Sequence, residues 1–175
     1  IYGYYHPLSY NEFYKVAQQN GGSLISEDGK SFTMDTPENV EALKYMVDMQ
    51  NKINVMPTPT QLERVPNADW DLFKSGRLGM IVTGCWSFPD FTRDCDFNWD
   101  AVVEPGNKQK ATHFFSNGYV INKNSKVANE AAKFITYISS NKKATQIRLD
   151  AGWELPPVND KGIIDQYIKK TPPTN

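Results

Sequence analysis

Histidine and cysteine are scarce in this chain of 175 residues, with 2 of each. Two isolated thiols, Cys85 and Cys95, do not make a tetrahedral metal site, and His6 and His113 stand too far apart in sequence to form an HExxH-type ligand pair. Charge of one sign is also missing. The formal net charge is −1, so there is no basic field for nucleic acid, and the scattered Lys and Arg do not interleave with aromatics as in a nucleic-acid groove. No apolar run approaches the roughly 18 residues of a membrane span. The chain has no Walker-type or dinucleotide Gly-rich loop, no internal repeat and no low-complexity tract. Its 20 Asp and Glu include no pair in a recognisable catalytic context.

Aromatic residues are plentiful: 9 Tyr, 9 Phe and 4 Trp, or 13% of the chain. Flat amphipathic rings serve a core equally well, or stack on sugars and other partly apolar planar ligands. The length fits one domain or parts of two, with enough apolar content, 39%, for a core.

The most informative stretch is 71–91, DLFKSGRLGMIVTGCWSFPDF. A short amphipathic helix from about Asn67 closes at Phe73, and Gly76 stands where a left-handed C-cap residue is wanted. Residues 78–83 have the length and the β-branched content (Ile81, Val82, Thr83) of a buried strand. Gly84 permits a tight turn, and Ser87 and Pro89 suit the cap and first turn of another helix. Trp86 is thereby left on a loop at the C-terminal end of a strand, where ligands bind in open α/β sheets.

Elsewhere, Tyr2, Tyr4, Tyr5 and His6 form an aromatic entrance segment that either lines a cleft or packs as a strand edge. Ser9 with Glu12 predicts a capping box and a helix through Phe13, Val16 and Ala17 to Asn20. The pieces 23–25 and 31–34 read as a hairpin about Asp28-Gly29. Pro37 opens a helix to about Asn51 with Val40, Leu43, Met46 and Val47 as its apolar stripe. Residues 56–66 read as Pro-rich loop, 97–103 as a strand, and 119–121 as a strand entered from an Asn117-Gly118 turn. Asn124-Ser125 caps a helix with Val127, Ala131, Phe134, Ile135 and Ile138 on one face. A shorter helix from Asn141 to about Leu149 ends at Gly152, and 163–170 adds a final helical turn or two.

Catalytic readings find little support. Cys85 with His113 as base would make a thiol nucleophile, but a buried small thiol at a strand end is the commoner situation. A disulfide between Cys85 and Cys95 requires an oxidising compartment and is not demanded by the spacing. A ligand site without chemistry remains. Trp86, the Asn117-Gly118 turn and Trp153 beside Gly152 each put a ring or exposed backbone on a loop, suited to stacking on sugar rings and hydrogen-bonding their hydroxyls. Trp86 reads as ligand contact over core packing, Trp153 stands evenly between the two, and Trp70 and Trp99 read as core.

Four collinear segments, QNGG at 19–22, SEDGKSFTMDTPENVEALKYMVDM at 26–49, FKSGRLGMIVTGCW at 73–86 and SNGYVINKNSKVANEAAKFITYI at 116–138, resemble the extracellular solute-binding proteins of family 1, the sugar-binding receptors of ABC importers. The resemblance implies an α/β fold of the type II periplasmic-binding kind, with two lobes that close on a sugar or oligosaccharide and then dock on membrane permease subunits. It implies a monomeric receptor, periplasmic or held at the cell surface as a lipoprotein, with no cofactor, no metal and no nucleic acid. Trp86 matches the family's ligand-stacking aromatic, Asn117 and Gly118 match its cleft-facing small-residue turn, and Tyr5 and Tyr10 are looser matches in an aromatic N-terminal segment. Family members are roughly twice as long, and the chain opens on IYGYYHPLSY without Met or signal peptide. It is therefore expected to be an incomplete portion: 1–104 in the second lobe, a crossing at 105–112, and 113–175 returning to the first lobe. A secreted carbohydrate-active enzyme and an interaction module without a small ligand are the alternatives.

Overall fold

Ser9 is extended, and its hydroxyl accepts the Glu12 amide at 3.3 Å, starting helix α1, Tyr10–Gln19. Only half of the expected capping box forms, because the Glu12 carboxylate turns instead to Lys15. The computed structural model describes residues 1–62, 68–152 and 154–170. The chain falls into two compact units that alternate along the sequence, one of Ile1–Thr83 and Val102–Phe114, the other of Gly84–Ala101 and Phe115–Asn175.

In the first unit, α1 packs on α2, Pro37–Asn51, around Val16, Ala17, Leu24, Ala42 and Met46, with Phe13 against them. The expected stripe of α2 is corrected: of its members only Met46 is buried, while Val40, Leu43 and Val47 are exposed. The buried face is Asn39, Ala42, Met46 and Gln50. Two polar residues occupy it because each supplies donors that loop carbonyls need. Asn39 Nδ2 donates to the carbonyls of Ser23 at 2.8 Å and Thr33 at 2.7 Å, and Gln50 Nε2 to that of Pro57 at 2.8 Å. The hairpin is reduced to one antiparallel bridge, Ile25 with Phe32, closed by Gly29 at φ 71°.

Pro59–Leu62 forms α3, a single turn inside the stretch read as loop, and Ala68–Lys74 forms α4. After α4, Gly76 adopts φ 68°; its amide bonds the Phe73 carbonyl at 2.9 Å, and the Arg77 amide bonds Leu72 at 2.9 Å. This paired closure is a Schellman ending, built on the left-handed residue expected at Gly76. Residues 63–67, including the expected helix start at Asn67, lie outside the described residues.

The predicted strand at 78–83 is present only as two parallel bridges, Leu78 with Tyr2 and Ile81 with Tyr5. Between the bridges the Gly3 and Tyr4 amides turn to the Val55 carbonyl, at 3.0 and 3.2 Å, so the ladder is interrupted. The strands read at 97–103 and 119–121 are likewise corrected. Neither takes part in a β-bridge among the described residues, and Val102 and Val120 are 86% and 91% exposed. Alternation supplies strand propensity, but a ladder needs a neighbouring chain. The described residues are thus mostly helical.

The second unit begins with a 3₁₀ turn, Cys85–Ser87, that leads into α5, Phe88–Asp94, with Pro89 in its first turn. Trp99 packs against Phe88 and Phe91 at 5.6 and 5.8 Å between ring centroids, a core role without a strand. Helix α6, Ala128–Ser140, starts later than expected; Asn124 and Ser125 lie in the preceding turn, and the N-cap Val127 offers no side-chain bond. None of its residues is fully buried, and Phe134 is 63% exposed. Helix α7, Lys142–Ala151, runs from the Asn141 cap to Gly152 at φ 74°, close to the expected ends, and α8 is Lys161–Lys170.

Candidate ligand-binding residues

Trp86 is the middle residue of the 3₁₀ turn and is 46% exposed. The turn is closed on one carbonyl, that of Gly84, which accepts both the Ser87 amide at 3.0 Å and the Ser87 hydroxyl at 2.8 Å. Gly84 itself has φ −103° and ψ 168°, an extended backbone open to any residue, so the turn it was expected to permit does not draw on glycine's conformational freedom. Its missing side chain matters for another reason. A Cβ on Gly84 would stand 2.1 to 2.4 Å from three carbons of the Trp86 six-membered ring. The indole also meets Phe115 edge to face, 5.5 Å between centroids and 76° between planes.

Asn117 and Gly118 are exposed and lie in irregular backbone, with no tight turn; the turn lies further on, where the Ser125 amide bonds the Asn122 carbonyl at 2.9 Å. Open space surrounds the position a Gly118 Cβ would take, so nothing steric selects glycine. The next residue, Tyr119, is fixed by Arg148, which donates to its hydroxyl at 3.0 Å and is ion-paired to Glu154. Trp153 lies outside the described residues.

In the other unit, Tyr10 begins α1 and is 65% exposed. Tyr5 is half-buried, its backbone paired to Met80 and Val82 at 2.9 Å, which supports the strand-edge reading of the entrance segment. Burial raises the Tyr5 phenol above its ordinary range, helped by the charge of Asp69. Beside it lies a cluster that sequence reasoning missed. Lys15, only 3% exposed, is ion-paired to both Glu12 and Glu104, and the buried His6 ring approaches Glu12 at 3.7 Å while stacking on Tyr4. Burial, with the charge of Glu104, drives the Tyr4 phenol far upward. Burial alone would raise Glu12 as well, but the nearby His6 ring and the ion pair with Lys15 outweigh it and hold the carboxyl below its usual range. Only the Glu12-to-Lys15 spacing of three residues hinted at this cluster in the sequence.

Among the described residues, no group of three or more His, Cys, Asp and Glu could hold a metal ion. None of the described helices is long and apolar enough to cross a membrane. Trp86 and Phe115 form a pair of exposed rings in contact, and Phe115 is the member sequence reading overlooked; its place in a Phe-Phe pair just before the 116–138 motif was the available signal.

The sequence profile of the bacterial extracellular solute-binding proteins matches residues 2–172. This chain belongs to that family. Among solved structures, a solute-binding protein from Listeria monocytogenes, the ABC substrate-binding protein Lmo0181 in complex with cycloalternan, is 44% identical; the match covers 100% of this chain and 44% of that one, with a TM-score of 0.92. A Thermotoga lettingae TMO solute-binding protein, bound with alpha-D-tagatose, is 21% identical over 95% of this chain and 44% of its own, TM-score 0.76. M. tuberculosis UspC is 18% identical over 96% and 41%, TM-score 0.63. These two show the fold alone, that of the type II periplasmic-binding proteins. The Escherichia coli (strain K12) protein YcjN, named as a putative ABC transporter periplasmic-binding protein, is 26% identical over 152 residues, 85% of this chain and 34% of its own. The chain thus spans less than half the length of these solute-binding proteins.

Proposed function

We propose that the protein carrying this chain is an extracytoplasmic receptor that closes two lobes on a sugar or oligosaccharide and delivers it to the permease subunits of an ABC importer. The observation that carries this reading is the half-exposed indole of Trp86, held edge to face against the exposed ring of Phe115. Such rings stack on the apolar faces of sugars, and neighbouring polar groups such as Asn117 meet the hydroxyls. The cycloalternan complex of the 44% identical relative supports an oligosaccharide as ligand. In this reading Trp86, Asn117, Gly118, Trp153, Tyr5 and Tyr10 contact ligand, and the protein works as a monomeric receptor, periplasmic or held at the cell surface as a lipoprotein, without catalysis, cofactor or nucleic acid. It keeps 1–104 in the second lobe, with the crossing at 105–112 and 113–175 returning to the first.

Calorimetric titration of the full-length protein with cycloalternan and with malto-oligosaccharides tests this. Heat of binding to an intact sugar, lost in Trp86→Ala with an unchanged melting temperature, is the expected result. New reducing ends without saturable binding would favour a secreted carbohydrate-active enzyme instead.

A further inference from the structure

Trp86 combines two properties that seldom coincide: its ring is 46% exposed, yet it is confined on several sides. Below it, Gly84 leaves a space that a single methyl group would fill, since a Cβ there would stand 2.1 Å from Cζ3. Its backbone is pinned by the amide and hydroxyl of Ser87, a fully buried residue, on the Gly84 carbonyl. Beside it, Phe115 meets the indole at 76°, so the two planes form a corner. We propose that Gly84, Ser87 and Phe115 are positioning residues that lock the Trp86 indole in one orientation before ligand arrives, making a preformed aromatic corner for the apolar face of a sugar ring. This rests on the reading of Trp86 as a ligand contact.

The physical reason is entropic. A free indole on a loop samples several rotamers and must be immobilised when a sugar stacks on it, whereas an indole already held loses nothing further. Gly84→Ala is a clean perturbation, because φ −103° suits alanine and the nearest atoms in conflict are side-chain carbons of Trp86, not backbone. Phe115→Leu removes the lateral wall but keeps an apolar side chain.

The test uses the full-length protein labelled with 5-fluorotryptophan, with the Trp86 fluorine resonance assigned by Trp86→Phe and cycloalternan as the probe sugar, the maltose-to-maltohexaose series serving beside it. Gly84→Ala and Phe115→Leu are each expected to shift or broaden the Trp86 resonance while leaving the other tryptophans and the melting temperature unchanged. Each should weaken binding by about three- to tenfold, the effect of one side chain that must be ordered on binding. If Gly84→Ala lowers the melting temperature, Phe115→Leu decides on the same two readouts. An unmoved Trp86 resonance, or a moved one with affinity within twofold, overturns the positioning role when Trp86→Ala abolishes binding. Should Trp86→Ala itself leave binding intact, the ligand-contact reading fails first, and the corner with it.

Discussion

The ammonium of Lys15 lies against the carboxylate of Glu104, a residue 89 positions further along the chain, and also against Glu12 three positions earlier. The Lys15 side chain is 3% exposed, Glu12 7% and Glu104 21%, so one buried cation is shared by two carboxylates. The same stretch is sewn to the end of α1 by further bonds. The Lys108 and Gln109 amides reach the Gln19 carbonyl at 2.9 and 3.1 Å, and Asn107 reaches the Asn20 side chain at 2.7 Å. Removing a buried partner leaves uncompensated charge and costs about 3–5 kcal/mol. Lys15→Met should therefore lower the urea midpoint strongly, and adding Glu104→Gln should recover part of the loss. Purely additive losses in that double-mutant cycle would show that the pair is not coupled.

Glu12 makes acid stability specific. Its carboxyl is held below the usual range by His6 and Lys15 despite burial. A depressed folded value means the stabilisation is fully present above the unfolded carboxylate value of about 4.3 and fades as pH falls through the lower folded one. Urea unfolding between neutral pH and pH 3 should lose stability over that window, and Glu12→Gln should flatten the profile there. An unchanged acid limb in Glu12→Gln would remove Glu12 from the account.

Asn39 links helix α2 to the loop that precedes it. It is fully buried, and its amide donates to the Ser23 and Thr33 carbonyls. Asn39→Ala takes one donor from each carbonyl, leaving Ser23 with the Thr33 hydroxyl at 2.6 Å and Thr33 with the Thr36 amide at 3.4 Å, at a cost of about 1–3 kcal/mol for the two lost bonds. Asn39→Asp should be worse, because a carboxylate cannot donate to either carbonyl and would bring unpaired charge into the interior. Chemical denaturation of the two variants checks the order.

Legibility followed the range of the interactions. Helices α1, α2 and α7 were readable because caps, a first-turn Pro and a terminal Gly act within a few residues. Which face of α2 is buried was not, since Asn39 and Gln50 are drawn inward by carbonyls at Ser23, Thr33 and Pro57 that no helical period encodes. The strand at 78–83 was legible as extended backbone, but its pairing depends on Tyr2 and Tyr5, more than seventy positions earlier. Trp86 could be picked out as an exposed loop ring, whereas Phe115 could not be paired with it, because edge-to-face contact between residues on separate segments leaves no mark in either local sequence.

Gly76 and Gly84 separate two reasons for glycine. Gly76 has φ 68° and nothing within 4 Å of the position a methyl group would take, so alanine there meets no clash but must hold a left-handed backbone. That conformation costs an L-residue about 1–2 kcal/mol and strains the paired bonds of Gly76 and Arg77 that end α4. Gly84 has the reverse character, with an ordinary backbone and an indole in the space of its missing side chain. Gly76→Ala should lower the melting temperature and leave sugar affinity alone, while Gly84→Ala should do the opposite. Thermal unfolding and titration calorimetry on the two variants, run side by side, resolve the contrast; equal effects of both on stability would mean that Gly84, too, is held by its backbone.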